Sequence, residues 1–91
     1  MPRIILTAEV ADIDHWKAQF KTHGDVFRTL GTTLIHYGTN DNNEVALYEE
    51  VDDLEKYFEM MQSPETLAAM AHDGVKGETV RVFVLDEEWN A

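Results

Sequence analysis

Residues 32–51 have the sequence TTLIHYGTNDNNEVALYEEV. Residues with high strand propensity stand on both sides of Asn40–Asn43, a run whose residue types tolerate left-handed backbone. The pattern predicts a β-hairpin, with strands over Thr32–Thr39 and Glu44–Val51. This hairpin decides the fold, because the elements on either side of it form two similar halves.

Strand alternation assigns the side chains of the hairpin to two faces. Leu34 and His36 share one face of the first strand, and Tyr37 lies on the other. Tyr48, in the second strand, alternates with the neighbouring apolar residues. We expect the acidic pair Glu49–Glu50 to belong to a solvated surface, as short charge runs most often do.

The residues before the hairpin predict one strand and one long helix. The strand covers Arg3–Val10, and the helix covers about Asp12–Leu30 with Asp12 as its N-cap. We expect Gly24 to kink this helix and Gly31 to end it. Apolar and aromatic side chains recur along the helix at steps of three and four and form one stripe: Ile13, Trp16, Phe20, His23, Phe27 and Leu30.

The residues after the hairpin repeat the order of helix and strand. Asp52 and Glu55 have the spacing of a capping box that opens a helix. Ser63-Pro64-Glu65 restarts the helix, with Ser as N-cap and Pro at the first helical position, and Gly74 ends it. The last strand covers about Thr79–Leu85.

The order β-α-β-β-α-β predicts an α+β, ferredoxin-like domain over residues 1–91, with two helices on one face of a four-stranded antiparallel sheet. The last strand places valines on one face and Phe83 with Leu85 on the other, so both faces of the sheet are apolar. A bare apolar sheet is larger than the patches that monomers usually expose. We therefore expect a homodimer in which two sheets pack face to face.

Composition excludes several classes of function. The 91 residues contain 18 Asp plus Glu and 7 Lys plus Arg, a net charge of −11, which disfavours nucleic acid and anionic membranes as partners. Without cysteine, the chain has no disulfide framework, thiolate metal site or cysteine nucleophile. The N-terminus lacks the long apolar run of a signal peptide or membrane span, so we expect a cytoplasmic protein.

Two stretches resemble the dimeric α/β-barrel proteins of the antibiotic-biosynthesis-monooxygenase-like superfamily, and in particular a group of short, uncharacterised members. The first half carries Asp12-Ile13-Asp14-His15-Trp16-Lys17, then Phe20, His23 and Gly31. The second half carries Ser63-Pro64-Glu65-Thr66-Leu67, then Met70, Gly74-Val75 and Gly77-Glu78-Thr79. The resemblance implies a sheet-to-sheet dimer, and its superfamily includes cofactor-independent oxygenases, lactone isomerases and haem-degrading oxygenases. The haem-degrading branch uses an Asn in the first strand, which this chain lacks.

His23 is the main candidate for chemistry. It lies on the apolar stripe between Phe20 and Phe27, where a neutral imidazole can act as a general base. The alternative is a histidine at the core edge, hydrogen-bonded to a carbonyl group or water. Trp16, Phe20 and Phe27 line the expected cleft or simply pack in the core, and these two interpretations are compatible.

Other polar residues have competing interpretations. His36 and Tyr48 contribute to substrate binding in the cleft or lie in the dimer interface, where the other tyrosines, Tyr37 and Tyr57, are also expected. Arg81 is expected to pair with Glu9 or Glu50 across the sheet. His15 and His72 are expected to be exposed, without a role. No helical metal-ligand spacing and no phosphate-binding glycine loop occurs, so neither metal nor another cofactor is expected.

Two functional hypotheses remain open. The first is a small-molecule enzyme, a cofactor-independent monooxygenase or isomerase, that removes a proton from an aromatic or lactone-like compound through His23. The second is a non-catalytic homodimeric binding or accessory module, in which His23 and the aromatic residues only shape a ligand pocket. The sequence does not decide between them.

Overall fold

The computed structural model describes residues 2–23, 27–28 and 31–91. Four antiparallel strands lie in the order β2-β3-β1-β4, the expected ferredoxin-like arrangement. The elements are β1 (Arg3–Glu9), α1 (Ile13–Phe20), β2 (Thr32–Thr39), β3 (Glu44–Val51), α2 (Leu54–Met61), α3 (Pro64–His72), a 3₁₀ turn (Gly77–Thr79) and β4 (Arg81–Leu85).

The central strand β1 carries the middle of the core. Ile4, Leu6 and Ala8 are buried on its helix-facing side, and the same side of β3 contributes Val45 and Leu47. Hydrophobic side chains of α1 and α2 pack over this surface in two adjoining clusters. The burial alternates with a period of two along β1 and β3, as predicted.

The outer ends of two predicted strands differ from the expectation. Val10 forms only an isolated bridge with Val75 instead of extending β1. Gly77–Thr79 forms a 3₁₀ turn, so β4 begins at Arg81. The hydroxyl of Thr79 donates to the Lys76 carbonyl oxygen and accepts from the Glu9 backbone N–H, which holds this turn against the end of β1.

A β-bulge changes the faces of β2. Leu34 is opposite Glu49 and His36 is opposite Tyr48, so β2 has one extra residue between these two pairs. Leu34 and Tyr37 therefore both face the helices, and His36 faces the open side of the sheet. Simple alternation was wrong in placing Leu34 and His36 on the same face, because a bulge inverts the alternation beyond it.

The predicted hairpin turn is confirmed. The side-chain oxygen of Asn40 accepts hydrogen bonds from the backbone N–H groups of Asn42 and Glu44. Asn43 adopts a positive φ of 58°, a conformation that asparagine tolerates better than most residues. The polar run thus closes the turn through its own side chains.

The first helix is shorter than predicted. Asp12 caps it as expected, accepting from the backbone N–H groups of Asp14 and His15, but α1 ends at Phe20. The Thr22 side chain and backbone N–H both donate to the Gln19 carbonyl oxygen, which ends the regular helical pattern. The predicted kink at Gly24 and the stripe position Leu30 lie outside the described residues. Gly31 was predicted to end this helix and does not, because α1 stops at Phe20; Gly31 nevertheless has a positive φ of +67°.

The second half contains two helices, as the internal restart signal predicted. Ser63 caps α3 and Pro64 is its first residue. The cap of α2 is Asp53, which accepts from the Lys56 backbone N–H, and not Asp52 as expected. The backbone N–H of Asp52 instead donates to the Gly31 carbonyl oxygen, so Asp52 still belongs to the preceding loop.

The sheet face opposite the helices is open. It exposes Phe83, whose surface is 65% accessible, beside Ile5 on the neighbouring strand. The expected pairing of Arg81 with Glu9 or Glu50 is wrong: Arg81 donates to the carbonyl oxygens of Glu78 and Val80. Among residues 2–23, 27–28 and 31–91, no helix is long and apolar enough to cross a bilayer.

Candidate functional site

A cavity of about 460 Å³ lies between the sheet and the helical layer. Its floor consists of inward-facing residues of β1 and β3, including Leu6 and Leu47. Its remaining walls are mostly aromatic residues on one side and flexible thioether side chains on the other, which adapt their shape readily. The volume suits a small organic molecule.

Aromatic side chains from the first helix and the segment after it form one wall. Trp16 and Phe20 are stacked with ring centroids 4.6 Å apart, and Phe27 meets Phe20 edge-on at 5.2 Å. Tyr37 packs against Phe20 from β2 at 5.1 Å. Met60, Met61 and Met70 face the cavity from α2 and α3. Planar apolar ligands fit such a wall.

His23 and Asp73 form the principal polar contact of the cavity. His23 Nε2 lies 2.6 Å from Asp73 Oδ2, and both residues line the cavity. The Asp73 side chain is 7% exposed and that of His23 is 22% exposed, so the imidazole is the accessible partner. When Asp73 is a carboxylate it only accepts hydrogen bonds; His23 then donates from Nε2, and a neutral ring has its lone pair on Nδ1.

Asp73 is positioned by the way α3 ends. It is the C-cap residue, and Gly74 follows with a φ of +81°. The Gly74 N–H donates to the Ala71 carbonyl oxygen and the Val75 N–H donates to that of Met70, which together form a Schellman motif. A second oxygen of Asp73, Oδ1, is buried and has no hydrogen-bond partner among the residues that the structure describes.

Glu49 and Tyr57 form a second polar contact in the cavity wall. Each is 1% exposed, and the Tyr57 hydroxyl donates to Glu49 Oε2 over 3.2 Å. Burial raises the pKa of Glu49 to about 7, although the hydrogen bond from Tyr57 opposes this effect. Burial, followed by the neighbouring Glu49 charge, also raises the pKa of the Tyr57 hydroxyl.

The structure brings together four of the predicted site residues. Trp16, Phe20, His23 and Phe27 all line the cavity. His36 and Tyr48 do not line it, because they face the open side of the sheet. The Tyr48 hydroxyl accepts from Arg3 Nη1 and donates to the Glu88 carboxylate on that side.

Of the four residues in the two polar contacts of the cavity, three were not predicted as site residues from the sequence. Asp73 received no role, Tyr57 was assigned to an interface, and Glu49 was assigned to a solvated charge run. The expectation for Glu49 was wrong: the same alternation that buries Val45 and Leu47 buries this residue. That alternation was the available signal, because a carboxyl group on an otherwise apolar strand face is unusual.

His15 and His72 are exposed, as expected. His15 Nε2 lies 3.0 Å from the His72 carbonyl oxygen, which ties α1 to the end of α3. Within the described ranges, no three His, Asp or Glu side chains lie close enough to hold a metal ion.

No protein-family model and no curated protein matches this chain. Solved structures match it over nearly their whole length. Atu4242 from Agrobacterium tumefaciens is 15% identical, with a TM-score of 0.69 covering 97% of this chain and 94% of that chain. Another structure of Atu4242 is described as a NIPSNAP family protein with unknown function.

Two further solved structures match this chain with similar TM-scores. A Deinococcus radiodurans protein, provisionally assigned as an antibiotic biosynthesis monooxygenase, is 14% identical with a TM-score of 0.63, covering 100% of this chain and 96% of that chain. Rv0793 from Mycobacterium tuberculosis is 22% identical with a TM-score of 0.61, covering 100% and 99%.

The chain shares its α+β fold with these NIPSNAP and antibiotic-biosynthesis-monooxygenase-like proteins. This finding confirms the resemblance seen in the sequence. At such low identities the likeness shows the fold, and the activity of a neighbour does not transfer with it.

Proposed function

We propose that this protein is a small-molecule enzyme in which His23 is a general base. The observation that carries the proposal is the contact between His23 and Asp73 at the wall of an apolar cavity. Asp73 orients the imidazole and compensates the positive charge that develops when the ring takes up a proton. Asp73 is therefore a positioning residue, and His23 is the residue that touches the substrate.

The substrate class follows from the cavity wall. Aromatic and thioether side chains favour a planar apolar molecule, and proton removal requires a carbon acid next to a carbonyl group. Aromatic ketones and lactones have both properties. Return of the proton to another carbon gives an isomerase. Reaction of the carbanion with O₂ gives a monooxygenase, in which a methylene becomes a carbonyl and the second oxygen atom leaves as water.

Deuterium exchange tests proton removal directly. The probe is 2-tetralone, an aromatic ketone with an acidic methylene group, and its lactone analogue isochroman-3-one is the second probe. In D₂O, NMR follows the loss of the methylene signal with and without protein. We expect the protein to accelerate exchange, and His23→Gln to reduce the acceleration by about 10²- to 10⁴-fold. His15→Gln, a change at an exposed histidine of α1, is the matched control and should leave the rate unchanged.

The outcomes separate the two functional hypotheses. Exchange that is undiminished in His23→Gln removes His23 as the base. Binding of the probes without any exchange above the buffer rate favours the non-catalytic binding module instead. Asp73→Asn should slow the exchange while retaining probe binding, because the amide keeps the shape of the side chain.

We also propose that two copies of the chain form a homodimer through the open sheet face. The exposed Phe83 and its neighbour Ile5 support this assembly, because together they place large apolar side chains where a monomer would leave them in water. Sheet-to-sheet packing would bury both residues.

Light scattering after size-exclusion chromatography tests the dimer. We expect the wild-type chain to have about twice the mass of a single 10.4 kDa chain, and Phe83→Lys to be monomeric. Phe58→Lys, a change at a partly exposed aromatic residue of the helical layer, should stay dimeric. A dimeric Phe83→Lys protein would contradict packing through this face.

A further inference from the structure

Of the described carboxyl groups that face the cavity, Glu49 is the most deeply buried. Its surface is 1% exposed, and its direct neighbours on the adjacent strands are the apolar residues Ile4 and Leu34. Tyr57 of α2 donates a hydrogen bond to one of its oxygens. Because this donor is uncharged, it does not supply the positive charge that a buried carboxylate needs.

Lysine and arginine do not supply this positive charge either. No Lys or Arg lines the cavity within the described part of the chain, and the positions outside that part contain neither residue type. Among the described residues, the titratable groups that share the cavity with Glu49 are Tyr57 from α2, Glu65 from α3, Asp73 after α3, and His23. Burial without a lysine or arginine partner favours the neutral form of the Glu49 carboxyl group.

A neutral carboxyl group is a hydrogen-bond donor. The hydroxyl of Tyr57 uses Oε2 of Glu49 as its acceptor, and the O–H group of the protonated acid is then available to another molecule. The raised pKa of Glu49, about 7, agrees with this state near neutral pH. A fixed donor in an apolar cavity stabilises charge that develops on a ligand oxygen.

We propose that protonated Glu49, supported by Tyr57, donates a hydrogen bond to the oxygen of a neutral aromatic ketone, lactone or phenol in this cavity. The inference rests on the proposed function for its catalytic part. When His23 takes the proton from the carbon next to the carbonyl group, the C–H electron pair forms a C=C bond. The carbonyl π pair then moves to oxygen, where the Glu49 O–H stabilises the enolate. No electron is lost and no co-reactant is needed.

Binding of 2-naphthol tests Glu49 separately from His23. This phenol resembles the enolate of 2-tetralone and stays largely un-ionised at about pH 8. If binding needs protonated Glu49, the competent fraction falls from about nine-tenths at pH 6 to about one-tenth at pH 8. We therefore expect calorimetry to show binding about tenfold weaker at pH 8 than at pH 6.

Three variants show which residue causes the pH dependence of 2-naphthol binding. Glu49→Gln keeps a donor of similar shape, so it should bind 2-naphthol with the same affinity at both pH values. His23→Gln should keep the pH dependence of the wild type, although it loses proton removal. Tyr57→Phe removes the supporting hydrogen bond but leaves Glu49 in place, so binding should again weaken as the pH rises.

Several results would overturn the role of Glu49. One is a wild-type protein that binds 2-naphthol equally at both pH values. A second is pH dependence that survives in Glu49→Gln, and a third is the absence of any 2-naphthol binding. Retained pH-dependent binding without 2-tetralone exchange would instead refute the base role of His23 and leave the donor role of Glu49 supported.

Discussion

Replacing Glu49 by glutamine should make the protein more stable at alkaline pH than at acidic pH, relative to the wild type. The folded protein holds the Glu49 proton up to about pH 7, because burial raises the pKa of Glu49 from its ordinary value of 4.5. Between these values the folded state binds more protons than the unfolded state, so the wild-type free energy of unfolding falls as the pH rises. The difference between 4.5 and about 7, at about 1.4 kcal/mol for each pH unit, amounts to about 3 kcal/mol.

Glutamine does not titrate, so the free energy of unfolding of Glu49→Gln does not fall with rising pH for this reason. The stability of the variant minus that of the wild type should rise by about 3 kcal/mol between pH 4.5 and pH 8. Urea unfolding at a series of pH values measures this difference. Subtracting the wild-type stability from that of the variant cancels the titration of the other acidic groups. The control is Glu44→Gln, an exposed change on the same strand, for which this stability difference should not depend on pH. A flat profile for Glu49→Gln would refute the buried, uncompensated state of this carboxyl group.

Other changes probe the wall of the cavity and the placement of its polar residues. Trp16→Ala should destabilise the fold by about 3–5 kcal/mol in urea unfolding, because the indole is 3% exposed and stacks on Phe20. Gly74→Ala should cost about 1–2 kcal/mol, since an alanine at a φ of +81° is strained, and thermal unfolding measures this loss. Ala69→Trp should fill the cavity and abolish binding of 2-naphthol in calorimetry, while circular dichroism still shows a folded protein.

Local signals in the sequence predicted the caps of α1 and α3 and the main turn. Asp12, Ser63 and the asparagine-rich turn at Asn40–Asn43 act through hydrogen bonds to residues two to four positions away, so their sequence context is nearly sufficient. The bulge after Leu34 depends on how β2 fits against β3, and strand propensity does not encode it. The early end of α1 depends on Thr22, whose hydroxyl competes for a helical carbonyl group.

The candidate site was predicted in part. The apolar stripe was sufficient to predict that Trp16, Phe20, His23 and Phe27 lie together, because these residues belong to one segment of the chain. Asp73 is 50 residues away from His23 in the chain, so only the packing of the end of α3 against that segment brings them together. Glu49 was accessible to prediction through its strand face, but neighbouring acidic residues concealed the signal.

The most direct test of the account is a heteronuclear NMR titration of the protein with 2-tetralone. We predict that amide shifts concentrate at cavity residues such as His23, Ala69 and Asp73, on the helix-facing side of the sheet. Shifts centred on Ile5 and Phe83 would place the ligand on the open face, and the absence of shifts would mean that the cavity does not bind it. Either result would contradict the claim that the space between the helices and the sheet is the functional site.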